Sequence, residues 1–96
     1  MTELTLENIV GKTILVGLSF YSAERKLLNR EQFFGMVIST APDRITIELE
    51  SGAIRTIPAD LRSTKSAPQG EYRLRSTGQI VVNPDLLSKW NIIRDE

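Results

Sequence analysis

The stretch Phe33–Pro58, FFGMVISTAPDRITIELESGAIRTIP, decides the fold. At its centre Ile45, Ile47 and Leu49 alternate with Arg44, Thr46, Glu48 and Glu50. A period of two puts apolar residues on one face and charged residues on the other, the pattern of a strand with one side on a core. Ala41-Pro42-Asp43 and Ser51-Gly52 are turn signals that bracket this run. Three short strands joined by two tight turns make an antiparallel meander. The rest of the chain is expected to close it into a small barrel.

Upstream of the central run, Glu31–Ser39 carries apolar residues on both faces: Phe34, Met36 and Ile38 on one, Phe33 and Val37 with Gly35 on the other. A strand of that kind is covered on both sides, and Gly35 marks a bend of the sort small barrels need at corners. Lys12–Phe20 is a further strand, with Ile14, Val16, Leu18 and Phe20 opposite Thr13, Leu15, Gly17 and Ser19. Gly17 suggests a bend, a bulge or a close approach of another backbone. Between these strands, Tyr21–Arg30 reads as a long hairpin loop, one helical turn, or a strand extension with a wide turn. At the N-terminal side, Thr5–Gly11 reads as one short helical turn, with Thr5 as its N-cap and Gly11 as its stop.

Downstream, Ala53–Ile57 completes the meander. Pro58-Ala59-Asp60-Leu61 then reads as a break with one 3₁₀ turn, and Arg62–Gly70, RSTKSAPQG, as an exposed loop. Glu71–Ser76 and Gln79–Asn83 form a second hairpin around Thr77-Gly78, which Asn83-Pro84-Asp85 ends. Asp85 is placed to cap a turn through Leu86-Leu87-Ser88. Trp90–Arg94 is a last short strand or a packed tail, with Trp90 as a lid on the core. The expected architecture is all-β: a small barrel of five or six antiparallel strands with one short N-terminal helical turn, as a single domain over residues 1–96.

Composition narrows the chemistry. The chain has no cysteine and no histidine, so it lacks thiolate nucleophiles, disulfides, the commonest metal ligands and the commonest general base. Glu48 and Glu50 share a strand face, but that face is solvated and beside a turn. No phosphate-binding glycine loop or nucleophile elbow is present. A non-enzyme is expected, with no catalytic residue, metal or cofactor. Basic and acidic residues balance at 12 each. Between Ile54 and Arg75, however, Arg55, Arg62, Lys65, Arg73 and Arg75 outnumber Asp60 and Glu71. These arginines either pair with carboxylates across strands or form a binding surface. Nothing near Met1 resembles a signal peptide, and no apolar run approaches the roughly 18 residues of a membrane span. A cytoplasmic, membrane-free protein is expected.

Two resemblances follow. Gly11–Pro58, with its strand after Gly11-Lys12, the bent Phe34-Gly35-Met36-Val37 and the Ile45–Leu49 run before Gly52, resembles SH3-like and Sm-like small barrels. Lys12–Ser39 departs from the Asp- and Asn-bearing RNA-binding loops of the Sm-like group. Gly70-Glu71-Tyr72-Arg73-Leu74-Arg75-Ser76-Thr77-Gly78, with Pro58-Ala59-Asp60-Leu61 before it and Pro84-Asp85 after, resembles a family of small, uncharacterised bacterial proteins. Some of its members are similar to products of mobile gene cassettes of the integron type. That resemblance implies an immunity or accessory protein and brings no activity, ligand or catalytic residue. Together these readings give a non-catalytic protein-binding module that occludes a partner, with Tyr21, Arg25, Arg55, Arg73 and Arg75 as the partner-binding residues. Nucleic acid is the alternative partner, with Tyr21 or Trp90 as a stacking platform, and an exposed edge strand could pair two copies.

Overall fold

The computed structural model describes residues 3–75 and 77–93. The last residues of two expected strands, Ser76 and Arg94, lie outside them. The described chain is all-β apart from a single 3₁₀ turn. The strands are β1 (Thr13–Tyr21), β2 (Leu27–Ala41), β3 (Arg44–Leu49), β4 (Ile54–Pro58), β5 (Thr64–Ser66), β6 (Glu71–Arg73), β7 (Ile80–Val82) and β8 (Leu86–Ile93), with the 3₁₀ turn at Leu61–Ser63. Six strands form one sheet in the order β4-β3-β2-β1-β8-β5, and β6 and β7 form a separate ribbon.

The expected closed barrel is corrected here. β4 and β5 are the two edges of the large sheet and do not pair with each other. The all-antiparallel expectation is corrected too, because β1 runs parallel to β8, from Ile14 opposite Leu86 to Tyr21 opposite Ile93. The parallel pairing follows from the path of the chain. After β4 it crosses the sheet through the 3₁₀ turn, β5 and the β6–β7 hairpin, and so returns along the free side of β1.

The meander itself holds. β2 pairs with β3 and β3 with β4, both antiparallel, with Ile47 opposite Val37 and Arg55. The sheet curls around one face. That face carries Ile14, Val16, Leu18, Phe20, Phe33, Val37, Ile45, Ile47, Ile57 and Leu86, all buried, and Ile9 closes it from the N-terminal side. Trp90 is half-buried against this core, as a lid. Gly35 sits where β3 comes close against β2, in a strand whose register shifts between Val37 and Ser39. A Cβ there would lie 2.8 Å from Ile47 Cγ2 and 3.0 Å from the Glu48 carbonyl carbon, and closer still to that carbonyl's oxygen. Only glycine lets β3 come this close.

β2 is covered on both faces only in part. Phe34 is half-buried against a second cluster of Leu15, Leu74 and Val81, whereas Met36 and Ile38 are exposed. The second cluster exists because the β6–β7 hairpin folds over the outer face of β1. Leu74 and Val81 are each buried there, a contribution of about 1.5–3 kcal/mol apiece.

Local chemistry places the connections. Thr5 caps a hydrogen-bonded turn over residues 6–11: its hydroxyl accepts from the Asn8 N–H at 3.0 Å while its own N–H donates to Asn8 Oδ1 at 2.9 Å. This is a capping box on a single turn, with no helix behind it, and Gly11 ends it at φ +89°. Tyr21–Arg30 is neither a long loop nor a helical turn. β1 and β2 extend toward each other and meet in a tight reversal, with the Ser22 N–H donating to the Lys26 carbonyl at 2.9 Å. Arg62–Gly70 is only partly loop, since it contains the 3₁₀ turn's last residues and β5. Asp85 caps no turn. Its carboxylate accepts from Thr13 N–H at 2.9 Å and from the Thr13 hydroxyl at 3.1 Å, which fixes the start of β1 beside β8.

Candidate functional site

The outer face of the sheet carries an open groove of about 570 Å³ over the far halves of β1, β2 and β8. Register builds it row by row. Gln32, Gly17 and Lys89 stand side by side, and Arg30, Ser19 and Asn91 form the next row. Gly17 and Ser19 on the central strand give a low floor, and a Cβ on Gly17 would meet nothing within 4 Å. The side chains of β2 and β8 form the walls. Arg75, in the turn of the β6–β7 hairpin, closes one end.

The hairpin tip is held in place as a wall. The Arg75 N–H donates to Gln32 Oε1 at 2.7 Å, and the buried Leu74 anchors the residue before it. Inside the turn, the Leu74 N–H donates to the Gln79 carbonyl at 2.8 Å and the Gly78 N–H to the Leu74 carbonyl at 2.7 Å.

Beyond Ser19 the groove opens onto an apolar row. Tyr21 stands between Leu27 of β2 and Ile93 of β8, with a bulge between Phe20 and Tyr21. Leu27 is 48% exposed and Ile93 53%. Leu28 and Ile92 extend this exposed apolar end. At the other side, Lys89 also borders a smaller hollow of about 310 Å³, shared with Arg62, Ser63, Lys65 and Leu87.

The electrostatics are one-sided. Among the described residues the ion pairs are Arg55–Glu31 and Arg62–Asp60. Arg30, Arg75, Lys89 and Lys65 therefore have no ion-pair partner among them. Arg62 donates to Asp60 through Nε at 3.0 Å and Nη2 at 2.9 Å. The side-chain hydrogen bonds, then the bond from the Arg62 N–H, hold the Asp60 carboxyl below its ordinary range, and the same side-chain bonds push the Arg62 guanidinium up.

The five residues expected to bind a partner do not form one surface. Arg75 lines the groove and Tyr21 lies in the apolar row beside it. Arg25 is at the tip of the β1–β2 hairpin, exposed, with φ +65°. Arg73 ends β6, where Tyr72 packs inward, so Arg73 faces away from the sheet and Arg75 belongs to the turn beyond. Arg55 is on the concave side, paired with Glu31 and with its guanidinium 4.5 Å from the centroid of the Phe33 ring. Trp90 is no platform on this face either, because its Nε1–H donates to Ser88 Oγ at 2.9 Å beside the core.

Arg30, Lys89, Gln32 and Asn91 are the groove residues that sequence reasoning missed. The sequence puts Arg30 at the end of a stretch read as loop, helical turn or strand extension, and Lys89 just before a last short strand or tail. Only the parallel β1–β8 register brings them to one floor. Gly17 was the one visible signal, a small residue in an otherwise bulky strand.

No family model matches the chain, and neither a curated protein nor a solved structure does. Among the described residues, no helix is long and apolar enough to cross a membrane.

Proposed function

We propose that this chain is a non-catalytic protein-binding module, which acts by covering a site on its partner. The observation that carries this reading is the continuity of two surfaces. The groove at Arg30, Arg75 and Lys89 runs directly into the exposed row Leu27–Tyr21–Ile93. Apolar and aromatic side chains rimmed by arginine are what protein interfaces favour. An exposed apolar row costs solubility unless something covers it.

The nucleic-acid alternative has the same cations in its favour and little else. Of the two aromatics it would use for stacking, Trp90 is half-buried against the core. An SH3-like kinship rests on the meander and the close approach of β3 at Gly35. The bacterial cassette kinship, the immunity or accessory role and a cytoplasmic setting belong to the same proposal, supported by the Gly70–Gly78 wording and the absence of cysteine. The β4 edge is where a second copy would add a strand.

The test is affinity capture from host lysate after nuclease treatment, comparing the native chain with Leu27→Ser/Ile93→Ser. A protein held by the native chain and released by the variant, at equal melting temperature, is the expected result. Captured material that disappears with nuclease, or equal capture by both chains, would refute the reading.

A further inference from the structure

We infer that the groove takes a carboxylate-rich, extended segment of the partner protein, laid across β2, β1 and β8 with its acidic side chains on Arg30, Lys89 and Arg75. This rests on the protein-binding reading above and names the chemistry of what is bound.

Three features argue for an acidic ligand of this shape. First, the three cations surround one opening and none has an ion-pair partner among the described residues, so their charge is available to a ligand. Glu31 also borders the groove, and its carboxylate is taken by Arg55. Second, the floor is open. Gly17 presents no side chain, and Ser19 is the largest group on the central strand between the walls. Third, the spacing suits an extended chain. Arg30 and Lys89 are two strands and one row apart, about 12 Å between Cα atoms at ordinary sheet spacings. Carboxylates two to four residues apart on an extended segment span about 7–13 Å.

A phosphate ligand fits less well. Phosphate sites gather free backbone N–H groups in nests or at helix starts. The backbone beneath this groove is β1, which is laddered to β2 on one side and β8 on the other along this whole stretch. The remaining polar groups are the side chains of Ser19, Asn29, Gln32 and Asn91, and the Gln32 Oε1 already accepts from the Arg75 N–H.

The probe is fluorescein-labelled octaglutamate, followed by fluorescence anisotropy, with octalysine and octathymidylate as comparators. The native chain is expected to bind octaglutamate in preference to both. Arg75→Glu/Lys89→Glu should weaken it by about tenfold or more, with no change in melting temperature. Arg25→Glu, outside the groove, should change affinity little. Gly17→Leu adds no charge but fills the floor, so it separates binding in the groove from diffuse attraction. Ser19→Leu does the same one row along, should Gly17→Leu fail to fold. Absence of octaglutamate binding, equal binding by the charge-reversed chain, indifference to both floor substitutions, or tighter binding of octathymidylate would each overturn the inference. If octaglutamate fails while a captured protein still depends on Leu27 and Ile93, the inference falls and the protein-binding reading stands.

Discussion

Replacing Gly35 by alanine puts the curl of the sheet to a direct test. Sequence propensity alone expects a gain, since glycine inside a strand is worth roughly 0.5–1 kcal/mol less than alanine. The structure predicts the opposite sign. The new Cβ would press on the Glu48 carbonyl and sit 2.8 Å from Ile47 Cγ2. Its main obstacle is backbone, laddered into β4 through the pair Glu48–Ile54, so it cannot swing aside as a side chain would. Overpacking of this kind costs about 1–3 kcal/mol, sometimes more. With backbone as the obstacle the upper end applies, and subtracting the propensity gain leaves a net loss of about 2 kcal/mol. For a chain of 96 residues that lowers the melting temperature by about 8–16 °C. Gly17→Ala is the matched control, because it also sits in a strand but has nothing within 4 Å of its Cβ. It should be neutral or slightly stabilising. Urea unfolding of both variants with a common slope m is the assay. If Gly35→Ala is as stable as the native chain, or no worse than Gly17→Ala, the close approach of β3 over β2 is wrong.

Two further predictions concern polar groups. Thr64 and Ser88 are buried and share a hydrogen bond of 3.0 Å, and Ser88 Oγ also accepts from Trp90 Nε1. Ser88→Ala strands two partners at once and should cost about 1–3 kcal/mol, with a red shift in tryptophan emission as the lid loosens. An unchanged emission maximum and midpoint would count against the lid. Asp60 titrates below its ordinary value of 3.8 because Arg62 hydrogen-bonds its charged form. A depressed carboxylate stabilises the fold above its unfolded value and loses that contribution as pH falls through the folded value. Asp60→Asn should therefore melt lower than the native chain at neutral pH, and the two curves should converge as pH drops below that value. Parallel curves down to the most acidic point would show that the pair has no part in acid stability.

Much of the fold is local, and so was readable. The alternation from Arg44 to Glu50 places Ile45 and Ile47 in the core because strand side chains can only point to one face or the other. Asp60 starts the 3₁₀ turn by accepting from the Arg62 N–H at 3.0 Å, a contact two residues long. Thr5 and Gly11 delimit their turn in the same local way. Arg62–Gly70 misled because composition rich in Ser, Pro and Gly describes a loop, yet Thr64–Ser66 gains a ladder from β8. That ladder comes from residues twenty or more positions away, and no local pattern announces it.

Strand periodicity, turn chemistry, the need for glycine at position 35 and the absence of histidine and cysteine are all legible in the sequence. Each of these is a property of single residues or near neighbours. Long-range packing sets the rest: β8 lies parallel to β1, the sheet keeps two edges, and the hairpin folds over Leu15 and Phe34. Those choices depend on which distant apolar faces bury each other best. The groove is a consequence of them: Arg30, Arg75 and Lys89 are far apart in the chain, and they meet because the packing of Leu15, Leu74 and Val81 holds one hairpin above one strand.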